Sequence, residues 1–220
     1  MRSLFLSFAS LIVVTNALAQ VNFGPEIGVN TCGYSSHYGR QVTAGARAGG
    51  KVDIGLTGHL QLQSGILYVN NGLGSTHLAG GSYPTMSIST VEVPVNIVYK
   101  AQGGGVSSPF IGIGPYIGIN TGGRITISPG DLPSPQPTII RSLKIGSSAG
   151  DDIKMLDAGL SVTAGVQLAN GLYIRILFQK GFMNLQPQGD ADNYLRRFNL
   201  GLSIGYLFHC KHIAQPTEKK

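Results

Sequence analysis

Beyond residue 20 the chain alternates apolar and polar positions with a period of two, in segments at 23–32, 43–56, 60–69, 88–99, 109–119, 154–168, 172–180 and 196–208. Such alternation marks strands with one greasy face. The connections alternate as well. Thr57–His59, Lys100–Ser108 and Ala169–Gly171 are short, whereas those centred on Gly33–Gln41, Asn70–Ser87, Asn120–Ile153 and Gly181–Leu195 are long. In an antiparallel up-and-down sheet, odd and even connections lie at opposite ends, so one end is tight and the other carries large loops. The pattern predicts an all-β fold: an antiparallel up-and-down transmembrane β-barrel of about eight strands, with short periplasmic turns and long extracellular loops.

Alternation alone does not say which face points outward. A lipocalin-like carrier turns its apolar face in, a membrane barrel turns it out. The sixth segment places Ala158, Leu160, Val162, Ala164, Val166 and Leu168 on one face and Asp157, Gly159, Ser161, Thr163, Gly165 and Gln167 on the other. Its apolar side lacks the large aromatics that fill a soluble core. Phe23, Tyr99, Tyr206 and Phe208 share the apolar parity near the short turns, and Tyr68 and Phe178 share it toward the long loops, as two interfacial girdles do. The polar face bears Glu26, Arg47, Lys51, Asp53, Glu92, Asp157, Arg175 and Arg197, four acids and four bases. Balanced charge suits a closed interior in which ions must find partners. These eight are the predicted lumenal charge network, a structural plug in a narrow barrel filled by its own side chains.

Composition points the same way. Only 12% of residues are charged, against about 25% in ordinary soluble domains. Arg2, the apolar run from Leu4 to Val14 and Ala17–Leu18–Ala19 have the pattern of a secretory signal. The domain reading is therefore 1–19 a cleaved signal peptide, 20–208 an outer-membrane β-barrel and 209–220 a short polar periplasmic tail. No later apolar run approaches the roughly 20 residues a helix needs to cross a bilayer. The chain is basic, with a pI near 9.4, yet it has no basic cluster with interleaved aromatics, so no nucleic acid is implied. Cys32 and Cys210 fall at opposite ends of strands that closure makes neighbours, too far apart for a bridge, and two free thiols are expected.

Four strand motifs, in order, resemble the PorT-like family of bacterial outer-membrane β-barrels. They are Val91–Glu92–Val93–Pro94–Val95 running to Tyr99–Lys100; Pro109–Phe110–Ile111–Gly112–Ile113–Gly114–Pro115–Tyr116; Leu156–Asp157–Ala158–Gly159 with Gly165; and the closing Leu200–Gly201–Leu202–Ser203–Ile204–Gly205–Tyr206–Leu207–Phe208. The chain departs from the usual ending on an aromatic, since His209–Lys220 follows Phe208. The resemblance implies an integral protein of the Gram-negative outer membrane, no enzymatic activity and no cofactor. The partners implied are outer-membrane lipid, the barrel-assembly machinery during insertion, and envelope or secretion-complex proteins, the family's founders serving secretion and gliding.

Pro94 and Pro115 remove ladder donors, and bulges are expected at both. Glu92 is the strongest candidate for a structural key, with Arg47 and Lys51 as neighbouring partners and Arg175 and Arg197 across the barrel. An outer-membrane lipid hydrolase needs a Ser–His–carboxylate set. Its only candidates are Ser35, Ser36, His37 and His77 with Asp131, Asp151 or Asp152, and no motif fixes their geometry. His209–Cys210–Lys211–His212 lacks the second ligand pair of a zinc site. The third long connection, with Pro129, Pro133, Pro135 and Pro137 before 138–145, reads either as a hairpin extending the strands or as a cover over the mouth.

Overall fold

The computed structural model describes residues 21–36, 39–76, 85–101, 107–127, 139–190 and 193–209. Among them are ten strands and no helix. Eight are long: β1 (Val21–Ser36), β2 (Gly39–Gly55), β3 (Leu60–Thr76), β4 (Thr85–Lys100), β5 (Ser107–Ile127), β7 (Leu156–Leu168), β8 (Leu172–Gly181) and β9 (Leu195–Tyr206). Each pairs antiparallel with its chain neighbours, and β1 pairs with β9 to close the barrel. Two strands are short. β6 (Ile139–Ser142) pairs with the far end of β5, and β10 (Phe208–His209) continues β9 against β1. The signal segment and the tail beyond residue 209 lie outside the described residues. The ladder runs one residue past the expected barrel end, through Asn22↔His209.

Closure has a definite stagger. Stepping from Val166 through paired residues Ile174, Ile204, Ile27, Ala48, Tyr68, Val91 and Ile119 returns to β7 at Leu156, ten residues from the start. Eight strands spaced roughly 4.8 Å apart, with that displacement and a rise of about 3.3 Å per residue, tilt about 40° from the axis. Every residue on this path belongs to the outer face, so the stagger aligns the greasy sides of all eight strands.

That outer face is apolar over a limited height. On β5 it runs Pro109, Ile111, Ile113, Pro115, Ile117 and Ile119, all exposed, which at this tilt spans about 25 Å along the axis. Phe23, Tyr99, Tyr206 and Phe208 are exposed at the end with the tight turns, with the Phe23 and Phe208 rings 5.8 Å apart and the Tyr206 and Phe208 rings 5.1 Å apart. Tyr68 and Phe178 are exposed toward the other end. Polar groups on the lipid-side parity are satisfied locally. The Ser64 hydroxyl donates to the Pro94 carbonyl at 2.9 Å, and Asn70 donates to the Ser89 hydroxyl at 3.1 Å. The turn 169–171 is tight enough to need Gly171 at φ +95°.

Three expectations are corrected. The first long connection is not one: β1 continues to Ser36 and β2 resumes at Gly39, a paired couple, so the chain between them is two residues long. Strands β1 to β5 are 16 to 21 residues long, against 13, 10 and 12 for β7, β8 and β9. The barrel thus has one tall wall and one low one. Finally, the register is continuous across both prolines, from Ser64↔Val95 to Leu67↔Glu92 and from Ile97↔Ile113 to Pro94↔Tyr116. The irregularities lie elsewhere, at Ala44/Ala46 and at Ser89/Thr90. A proline needs only a position where its nitrogen is not asked to donate, and locally interrupted pairing supplies that without an inserted residue.

The second irregularity re-aims a strand. Thr90 faces Asn120 but Ser89 faces Gly122, so Thr121 is an extra residue on β5. Tyr116 and Asn120 point inward below it, and Ile125 points inward above it. The bulge absorbs the extra residue, so the inward positions change from even numbers below it to odd numbers above it.

Candidate functional site

The interior is built in two layers. The lower holds the eight charged residues, each buried. Glu26 on β1 is the centre of one group. Its Oε1 accepts from Arg175 Nη2 at 2.6 Å and Nε at 3.1 Å, and its Oε2 accepts from the Tyr173 hydroxyl at 2.9 Å. Arg175 Nη1 donates to Gln63 Oε1 at 3.1 Å. Arg47 Nε stands 3.8 Å from the same Glu26 oxygen.

Glu92 on β4 centres the second group. Arg197 Nη2 donates to its Oε1 at 2.6 Å, and Gln179 Nε2 donates to its Oε2 at 3.2 Å. Asn199 Nδ2 in turn donates to Gln179 Oε1 at 3.0 Å. Arg197 Nε lies 2.9 Å from Asp157 Oδ2 without the alignment of a hydrogen bond, and the Tyr116 hydroxyl donates to that oxygen at 3.2 Å. The hydrogen-bonded partner of Glu92 is therefore Arg197 from across the barrel; the neighbouring Arg47 acts on it by charge without a hydrogen bond, and Lys51 pairs with Asp53 instead.

The third group lies nearest the tight turns. Lys51 Nζ is 3.3 Å from Asp53 Oδ2 and 3.9 Å from the centre of the Tyr173 ring, a cation–π contact. Lys100 Nζ donates to Gln167 Oε1 at 2.9 Å. Sequence reasoning missed Tyr116, Tyr173 and Gln179, which complete the carboxylate shells, and Gln63, which accepts from Arg175. Their inward parity was visible; their partners, set by the ten-residue stagger, were not.

Arg47 is the outlier. Its side chain reaches across β1 toward Gly201 of β9, yet none of its three nitrogens makes a hydrogen bond with a described residue. It is held by charge alone. A buried cation so placed contributes less than one gripped by a carboxylate fork.

The upper layer is oily. Cys32 and Tyr34 of β1, Ile88 of β4 and Ile125 of β5 pack with Leu143, Ile153 and Leu185, and Met86, Ile145 and Leu195 lie against them. The walls come from the tall strands. Leu143, Ile145, Ile153 and Leu185 come from the connections of the low strands, which fold inward over the mouth. The 139–155 segment is thus both of the things foreseen: Ile139–Ser142 extends the sheet and the residues after it cover the lumen. The cover is fastened at its rim, where Arg141 donates from Nη1 and Nη2 to Asp152 at 2.6 and 2.7 Å and Lys144 N donates to Asp152 at 2.8 Å. These bonds hold the Asp152 carboxyl below its ordinary range.

The candidate hydrolytic set does not assemble among the described residues. Asp152 is committed to Arg141, and Asp151 accepts from Ser148 N at 2.8 Å. His37, His77 and Asp131 lie outside the described residues, as do Cys210, Lys211 and His212. Cys32 is a free, buried thiol. Among the described residues no three His, Cys, Asp or Glu side chains are grouped to hold a metal.

A closed antiparallel barrel with an apolar exterior and charged residues sealed within is the architecture of outer-membrane barrels. The family described as outer membrane protein beta-barrel domain matches residues 15–212, and the chain belongs to it. No curated protein matches the chain. Solved structures with a similar fold include the attachment invasion locus protein Ail of Yersinia pestis, 12% identical with a TM-score of 0.44, covering 85% of this chain and 98% of that one. Neisserial surface protein A is 12% identical with a TM-score of 0.46, covering 84% and 97%. The N-terminal barrel domain of Pseudomonas aeruginosa OprF is 11% identical with a TM-score of 0.34, covering 83% and 97%.

Proposed function

We propose that the protein is a noncatalytic integral barrel of the Gram-negative outer membrane, with its tight turns in the periplasm and its tall end outside the cell. The interior charge groups serve as structure: they fill the lumen, and the oily cover seals it from the loop end. Activity then belongs to the exposed loop-end surface or to envelope partners. The observation that carries this reading is the aromatic-bordered apolar band of about 25 Å around a core of buried ion pairs. Sarkosyl-insoluble fractionation with heat-modifiable migration on unboiled gels is the expected result. Release by osmotic shock sinks the reading.

A finer reading, a PorT-like component of a secretion or gliding complex, is favoured by the motif order. Val91–Lys100 closes β4, Pro109–Tyr116 lies in β5, Leu156–Gly159 opens β7 and Leu200–Phe208 closes the barrel. Crosslinking in intact cells tests it; recovery of the barrel without any envelope protein in repeated experiments counts against it.

A further inference from the structure

Arg124, Lys180 and Arg196 are exposed cations on the outer wall, all near the tall end. Two of them are close together. Lys180 on β8 is paired with Phe198 on β9, and Arg196 lies two residues further along β9. A diagonal pair of that kind has its side chains roughly 7 Å apart at the base. Neither Lys180 nor Arg196 has an ion pair with a described residue.

The surroundings of this pair are not those of ordinary surface cations. Phe178 on β8 and Phe182 just beyond its end flank Lys180, both about half exposed, and Leu160 is its neighbour on β7. The Tyr194 ring stands 5.3 Å from the Arg196 guanidinium. Below the two cations the wall continues as Val162, Phe178 and Leu200, exposed and apolar. A soluble anion gains nothing from that lower surface. An amphiphile with a phosphate head and acyl chains matches both parts: the head meets two cations free to grip it, and the chains lie down the wall.

We infer that Lys180 and Arg196 form a binding site for the phosphate headgroup of a lipid in the leaflet at the loop end, with Phe182 and Phe198 as its apolar walls. This rests on the membrane reading above. Arg196 supplies a forked donor and Lys180 a point charge, and the phosphate bridges β8 to β9 outside the barrel.

The test is the full barrel in phosphatidylcholine vesicles doped with phosphorylated lipid A, with the same lipid stripped of phosphate, or bathed in inorganic phosphate. The expected result is a rise in unfolding temperature with phosphorylated lipid A only. Lys180→Gln with Arg196→Gln weakens that response about tenfold in the lipid concentration needed, while Lys180→Arg and Arg196→Lys retain it. An equal response from the double glutamine variant, or from phosphate-free lipid, overturns the inference, as does an equal effect of inorganic phosphate. Failure of the wild type to float with phosphatidylcholine vesicles at all sinks the membrane reading and this site with it. Flotation without a lipid A response sinks the site alone.

Discussion

Glu26 and Arg175 join strands that are not neighbours. The carboxylate leaves β1, passes over β9 and meets the guanidinium of β8 at 2.6 Å. The contact therefore forms only when the first and last strands have paired, and it ties the seam of the barrel from inside. Glu26→Ala is expected to leave Arg175 and Tyr173 without their acceptor in a buried site. Breaking a buried pair in this way costs about 3–5 kcal/mol, and the temperature at which the folded gel band converts to the unfolded one is expected to drop clearly.

Glu92→Ala is expected to act similarly on the second group, since Arg197 and Gln179 both lose their partner. Combining Glu92→Leu with Arg197→Met is expected to be milder than the sum of the two single changes, because the Glu92–Arg197 pair is then lost once rather than twice, although Asp157 keeps only the Tyr116 hydroxyl. Additive losses in a urea titration in vesicles would show that the two side chains do not interact.

Arg47 and Arg175 are both buried arginines, yet one makes three hydrogen bonds and the other none. Arg47→Met is accordingly expected to cost less than Arg175→Met by about 1–3 kcal/mol. Equal losses in the same titration would mean that the charge of Arg47, rather than its contacts, is what the fold needs.

The oily cover makes a prediction about access. Cys32 is fully buried beneath it, so in a Cys210→Ser background a maleimide reagent added to folded protein is expected not to label. Replacing Ile153 with Asp places a charge among apolar side chains and is expected to open the cover. Labelling then rises while heat-modifiable migration persists. Rapid labelling of the unaltered barrel would show that the cover is open at rest.

The rim clasp sets a pH dependence. Arg141 and the Lys144 amide hold the Asp152 carboxyl below its ordinary value of 3.8. A carboxyl lowered in the folded state contributes stability above its unfolded value and loses it as the pH falls through the folded value. Protection of the backbone amides of residues 141–153 against hydrogen exchange, relative to their intrinsic rates, is therefore expected to hold from neutral pH to about 5 and to fall only in stronger acid. Asp152→Asn is expected to show less protection than the unaltered protein near neutral pH, with the difference closing in strong acid.

Much of the lower barrel was legible in the sequence because two solvents act on it at once. Lipid outside and a packed polar lumen inside force alternation on each strand, so Leu160 and Ser161, or Val93 and Glu92, declare their faces. Above the apolar band that demand lapses. Residues 70–76 and 121–127 are mostly polar residues and glycine, and the strands run on through them unannounced. The cover was illegible for another reason. Leu143, Ile145, Ile153 and Leu185 sit in irregular chain with no period to read. Gly33 is similar: the Phe198 ring lies directly over it on the outer wall, a fit that only the register of β1 on β9 reveals.

Thr121 marks where the molecule can change its height without changing its faces. Without that one residue the strand would alternate unbroken from Asn120 through Gly123 to Ile125, so Ile125 would still point into the mouth and every side chain below would keep its side. The bulge therefore absorbs a change in chain length at the junction of the charged layer and the oily one, and neither layer has to be rebuilt to accommodate it.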